Sequence, residues 1–179
     1  MATPALAFAQ IANECEIEGL TPKNADRIGL EMAKVFQVQP YEVGIMRMEK
    51  QNLVFMYPSK LHNVGSIPLN TTGSVAARTA TSKRAEVINN FAQTKHTSIF
   101  EAVELDPKPK SGMVSDRHEH AVHQIQKLIS APVIGPVGVL GVIQISRKGV
   151  SAPAAGADFT PADLQKLVAI AAALAKCFK

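Results

Sequence analysis

Residues 127–148, KLISAPVIGPVGVLGVIQISRK, constrain the fold more than any other stretch. They form two apolar, β-branched runs, 128–134 and 137–145, separated by Gly135-Pro136. Apolar runs this short, bounded by turn punctuation, predict a pair of strands rather than a buried helix. A lone hairpin is marginal in water, and these runs are apolar on both faces. The pair is therefore expected at the centre of a sheet, covered above and below.

The rest of the composition allows such a sheet. A chain of 179 residues can bury one domain core, and 46% apolar with 19% charged residues belongs to the globular class. The longest apolar stretch is too short and too interrupted to span a bilayer. The first fourteen residues carry no basic segment, and Glu14, Glu16 and Glu18 follow, so no secretion signal is expected and the protein is placed in the cytoplasm. Cys15 and Cys177, at opposite ends of the chain, are expected to be reduced and packed as small hydrophobes. The net charge is +4. Residues 107–150 hold six Lys/Arg against two Asp/Glu, a mild bias without the clustered cations and aromatics of a nucleic-acid surface. Neither a nucleic acid nor a membrane is an expected partner.

Along the chain, residues 4–18 carry a helical stripe closed by Gly19. Thr21-Pro22 opens a second helix, with Ala25, Ile28, Gly29, Met32, Ala33 and Phe36 on one face and Pro40 beyond its end. Residues 41–48 and 52–61 read as a hairpin, and 66–69 as a short edge strand near Pro68. Thr72-Gly73-Ser74 leads into a small-residue helix. Ser74 or Thr72 either caps it or leaves backbone N–H groups at Ser74, Val75 and Ala76 for an anion. A strand over 85–91 follows, then a polar, proline-containing stretch over 92–115 of the kind used as a lid, and a short helix over 116–126. Thr160-Pro161-Ala162-Asp163 opens the last helix, which is apolar most of the way round. One sheet cannot cover both sides of it, so the first and last helices are expected to meet a partner subunit.

This order of elements resembles a GAF domain, the small-molecule sensor module of phosphodiesterases, phytochromes and bacterial regulators. The resemblance rests on IPLNTTGSVAART, EVINNFA, the central hairpin and DFTPADLQKLVAIAAALA. It implies an α+β, profilin-like fold: a central antiparallel sheet of about six strands, helices on both sides, and N- and C-terminal helices packed together. The domain is expected over 21–179, with 1–20 as an N-terminal helical extension. The resemblance also implies a ligand pocket lined by Phe55 and Tyr57, the Ser74, Val75, Ala76 helix start, Asn89, Asn90 and Phe91, closed by a lid from Thr94 to Phe100 that brings in His96. Cyclic-nucleotide-binding members carry an Asn-Lys pair, a Phe and an Asp-Glu pair where this chain has Ser146-Arg147, Phe159 and Asp163-Leu164. The substitutions speak against cyclic nucleotides. They leave Arg147 and Asp163 to form an ion pair fastening the last helix.

GAF-type methionine sulfoxide reductases use pocket cysteines, and bilin carriers need one too. Cys15 and Cys177 lie on the terminal helices, so neither chemistry is expected. No GxSxG is present. His118, His120 and His123 invite a metal or heme reading but lack the spacing of a known zinc signature, and no metal site or catalytic residue is assigned. The expectation is a stand-alone, non-enzymatic regulatory GAF-like domain in signal transduction. It would be a homodimer through its terminal helices, bind a small molecule and signal to a partner in trans, with ligand and cofactor undefined. The alternatives are a dimerisation scaffold with a degenerate pocket, and heme or metal binding through the histidine cluster.

Overall fold

A computed structural model describes residues 3–63, 65–93 and 124–179. In chain order the elements are α1 (Pro4–Cys15), α2 (Pro22–Phe36), β1 (Val43–Glu49), β2 (Asn52–Tyr57), β3 (Ser66–Pro68), α3 (Val75–Ser82), β4 (Glu86–Ile88), β5 (Ile125–Gly135), β6 (Gly138–Lys148) and α4 (Pro161–Leu174). The strands form one antiparallel sheet in the order β3-β2-β1-β6-β5-β4. The fold is α+β, as expected. The β5–β6 hairpin stands inside the sheet between β1 and β4, and β3 is an edge strand. Residues 125 and 126, expected in a helix, already belong to β5; the rest of that expected helix lies outside the described residues.

Local chemistry sets the helix ends. Thr21 caps α2 by accepting from the Asn24 N–H at 3.2 Å, and Pro22 occupies the first position, where no intrahelical donor is needed. α4 opens with a reciprocal capping box, Thr160 accepting from the Asp163 N–H at 3.2 Å and Asp163 from the Thr160 N–H at 2.9 Å. α1 stops at Cys15, three residues short of the expected end, and Gly19 turns the chain at a φ of 71°.

The sheet has a core on each face. α1, α2 and α4 cover one, with Phe8, Ile28, Met32, Leu167 and Leu174 packed on Ile45, Ile129, Ile143 and Ile145. α3 covers the other, with Val75, Ala76 and Ala80 over Met46, Leu53, Phe55, Leu128 and Val142. The terminal helices α1 and α4 pack on each other within one chain. Each fully buried aliphatic or aromatic side chain contributes about 1.5–3 kcal/mol of transfer free energy, so both layers hold the sheet.

Two close approaches depend on glycine. A Cβ at Gly29 on α2 would sit 2.5–2.7 Å from the ring of Tyr57, and one at Gly141 on β6 would meet the Met46 carbonyl and lie 2.8 Å from the ring of Phe178. Gly29→Ala gains about 1 kcal/mol of helix propensity, but overpacking a buried ring costs about 1–3 kcal/mol. A net loss of stability is expected, and a larger one for Gly141→Ala, where a backbone carbonyl cannot move aside. Urea unfolding midpoints check both; a stabilised Gly29→Ala would show that Tyr57 is not held against the helix.

Candidate ligand-binding face

The residues expected to line a pocket divide between the two faces of the sheet. Phe55, Val75, Ala76 and Phe91 lie together in the core under α3, all buried. Tyr57 does not join them. Strict alternation would put residues 55 and 57 on one face, but the β1–β2 register passes from Ile45↔Tyr57 to Met46↔Phe55, leaving Met56 as an extra residue. This bulge turns Met56 and Tyr57 to the α2 side, where the Tyr57 ring packs against Gly29. Burial, with a smaller push from Asp26, raises the Tyr57 phenol above its ordinary value.

Ser74 is a helix cap. Its hydroxyl accepts from the Ala77 N–H at 3.1 Å, and the residue is buried. Asn89 is a backbone latch: its amide donates to the Phe159 carbonyl at 3.0 Å and accepts from the Phe159 N–H at 2.9 Å. That two-way pairing ties the end of β4 to the segment leading into α4 and occupies the groups a ligand would need. Asn90 is exposed. His96, the lid from Thr94 to Phe100, and His118, His120 and His123 lie outside the described residues.

The expected ion pair between Arg147 and Asp163 is not formed. Asp163 turns back into the capping box of α4, where it serves both the N–H and the hydroxyl of Thr160, the latter at 3.1 Å. Arg147 instead lies over the Phe159 ring at 4.8 Å and reaches the Phe36 carbonyl at 3.5 Å, its Nε buried without a hydrogen-bond partner among the described residues. The charge pair before α4 belongs to Lys127, a buried residue opposite Arg147 in the β5–β6 register, which meets Asp158 at 2.8 Å and donates to the Gly156 carbonyl at 2.5 Å.

Sequence reasoning missed a polar row across the α3 face. Register places Gly44, Gln144, Ser130 and Glu86 side by side on β1, β6, β5 and β4. Gln144 Nε2 donates to Ser130 Oγ at 3.2 Å, and Ser130 Oγ shares a 2.8 Å hydrogen bond with Thr79 Oγ1. The Thr79 hydroxyl donates to the Val75 carbonyl at 2.8 Å, so the Ser130 proton points to Thr79 and the chain runs one way, from sheet to helix. At the far end Arg78 on α3 grips Glu86 through two bonds of 2.9 and 3.0 Å, which raises the guanidinium above its ordinary value. Gln144 is 7% exposed, and its side-chain carbonyl has no partner among the described residues. Ser130 and Gln144 inside otherwise apolar runs were the visible signal.

The two cysteines lie on the other side of the sheet, buried among α1, α4 and the turn after it. Burial, with the neighbouring Cys15 second, pushes the Cys177 thiol up to about 11. Such a thiol is protonated at neutral pH and is not a nucleophile there. Among the described residues no group of three or more His, Cys, Asp or Glu is arranged to hold a metal ion, and no helix is long and apolar enough to cross a membrane.

Asn89→Ala leaves a buried pair of backbone groups at Phe159 unsatisfied, at about 1–3 kcal/mol for the exposed penalty. A destabilisation of that size is expected in urea unfolding, with Asn89→Asp intermediate because it keeps the acceptor and loses the donor. An unchanged midpoint for Asn89→Ala would remove the latch.

No protein-family model matches the sequence, and no curated protein matches it. Solved structures match in shape. The GAF domain of a phosphoenolpyruvate-protein phosphotransferase from Acinetobacter superposes with a TM-score of 0.63 at 13% identity, over 99% of this chain and 94% of that one. The corresponding domain from Coxiella burnetii gives 0.60 at 11%, over 96% and 92%. Free methionine-R-sulfoxide reductase from Neisseria meningitidis, solved with its substrate, gives 0.58 at 15%, over 99% and 92%. With the same layered sheet and helices from end to end, the chain has the GAF-domain fold.

Proposed function

We propose that this GAF-fold chain is a regulatory domain that binds a small molecule on the α3 face and passes the bound state to a protein partner. The observation that carries the reading is Gln144. Its amide donates to Ser130 Oγ while its side-chain carbonyl accepts no hydrogen bond among the described residues, so that oxygen is available to a ligand donor. Gly44, opposite Gln144 on β1, brings no side chain to that end of the row. Phe55 and Phe91 lie in the apolar core of the same face. The link to output is mechanical: Gln144, Ser130 and Thr79 form one hydrogen-bond chain into α3. A ligand that competes for Gln144 loosens or tightens that helix.

The reading is of a sensor, not an enzyme. Methionine sulfoxide reduction on this fold would need a reactive thiol at the ligand, and both cysteines of this chain lie beyond the sheet from α3. A thermal-shift screen of cyclic nucleotides, heme, purines, amino acids and aromatic acids tests it. A ligand binding only the folded state stabilises by about 2.7 kcal/mol at a hundredfold excess over its dissociation constant. The expected result is a hit whose shift is lost in Gln144→Leu while the unliganded midpoint is kept. A hit indifferent to Gln144→Leu overturns the assignment of the site, and a screen without hits overturns the sensor reading in favour of a scaffold.

A homodimer through the terminal helices is supported by a separate observation. Leu6 on α1 and Val168 on α4 are 61% and 44% exposed although the two helices pack on each other. Apolar surface of this kind on a helix pair is commonly a subunit contact. Sedimentation velocity is expected to show a dimer that Val168→Asp converts to monomer at unchanged thermal midpoint. A monomer at every concentration removes this part of the reading.

A further inference from the structure

On the side of the sheet away from α3, the tip of the β5–β6 hairpin and the terminal helices enclose an open groove of about 660 Å³. Ile134, Val137 and Leu140 form its strand side, and Ala9, Ala172 and Ala173 its helix side. The small helix side chains make the trough, and the hairpin leaves Ile134 49% and Val137 94% exposed along it. A volume of this size lies in the range of small-molecule sites.

The charged side chains of the lining are those of Lys176 and Lys179, and no Asp or Glu lines the groove. Their ordinary role is to follow the C-terminus of α4, where cations are favoured. That role does not neutralise them. Both share one acid, Glu16, at 3.8 and 3.4 Å, so one carboxylate serves two ammonium groups. An anionic occupant would gain both ammonium groups as partners at the mouth, which an uncharged apolar one would not. A second copy seated by a two-fold axis would bring further lysines to it. An anionic head on an alkyl chain matches both the trough and the cations.

We propose that this groove binds a free fatty carboxylate, its chain laid along the trough and its head between Lys176 and Lys179. The site is independent of the α3 face and of the sensor reading.

The test is calorimetric titration of the intact chain with octanoate, decanoate and laurate below their micellar concentrations. Burial of each methylene at about 0.8 kcal/mol corresponds to affinity rising about fourfold per methylene. Lys176→Gln/Lys179→Gln is expected to weaken laurate at least about tenfold while leaving 1-dodecanol unchanged, on the scale of one lost charge-assisted contact. Ala172→Phe, at an exposed helix position, is expected to fill the trough and abolish laurate binding at an unchanged thermal midpoint. Four results overturn the proposal: affinity independent of chain length, equal binding of dodecyltrimethylammonium, indifference to the lysine variant, or adsorption to phosphatidylglycerol vesicles without binding of free laurate. A groove that takes up laurate only when Val168→Asp has separated dimers assigns it to a second copy instead and overturns it too.

Discussion

The alternation of side chains along β6 is the constraint on which the rest of this fold depends. Ile143 and Ile145 point into the layer built by α1, α2 and α4, while Val142 and Gln144 point into the layer under α3. One strand therefore feeds two cores at once. Because the side-chain period is two, a slip of one residue would send Gln144 into the three-helix core and an isoleucine onto the polar row. β5 runs beside it in the same phase, with Ile129 and Ala131 on one side and Leu128 and Ser130 on the other. Hydrophobic burial fixes the register, and the register assembles the polar row.

That row gives the second face its character. Thr79, Ser130 and Gln144 place directional hydrogen bonds in a dry layer, where an imperfectly paired group is expensive. Arg78 and Glu86 hold the exposed margin of the same helix. Among the described residues the three-helix face has no comparable row. Its buried polar groups work at the periphery, as Asn24 does when it donates to the Gly19 carbonyl at 2.8 Å. The two faces thus divide the labour, one providing stability and the other a helix tied to the sheet by a few replaceable bonds.

The segment leading into α4 shows how such a domain closes without an ion pair to its last helix. Asn89 clamps the backbone of Phe159, Arg147 covers its ring, and Lys127 reaches Asp158 and Gly156. The family resemblance made Asp163 the expected partner for Arg147. A carboxylate at the third position of a helix has a closer use, however, in satisfying the Thr160 N–H. Local capping outcompeted the long-range pair because its geometry was set by adjacent residues.

Periodicity and turn chemistry by themselves determined the central hairpin, the α1, α2 and α4 helices and the edge strand β3, because each is written in the spacing of apolar residues and the placement of Pro, Gly and Thr; the α+β class came through the resemblance. Phe55, Val75, Ala76 and Phe91 were expected as pocket residues through the resemblance, and the tertiary structure packs them in the core under α3. Only the tertiary structure decided that Tyr57 faces α2, since a bulge at Met56 reverses its side and no local residue announces it. It alone showed that Asn89 binds backbone, that Lys127 rather than Arg147 carries the charge pair, and that polar residues from three strands, Gln144, Ser130 and Glu86, form one row. Those facts depend on which strands become neighbours and in what register. Sheet order and register are set by the joint burial of two cores, and residues on different strands share no local signal of it.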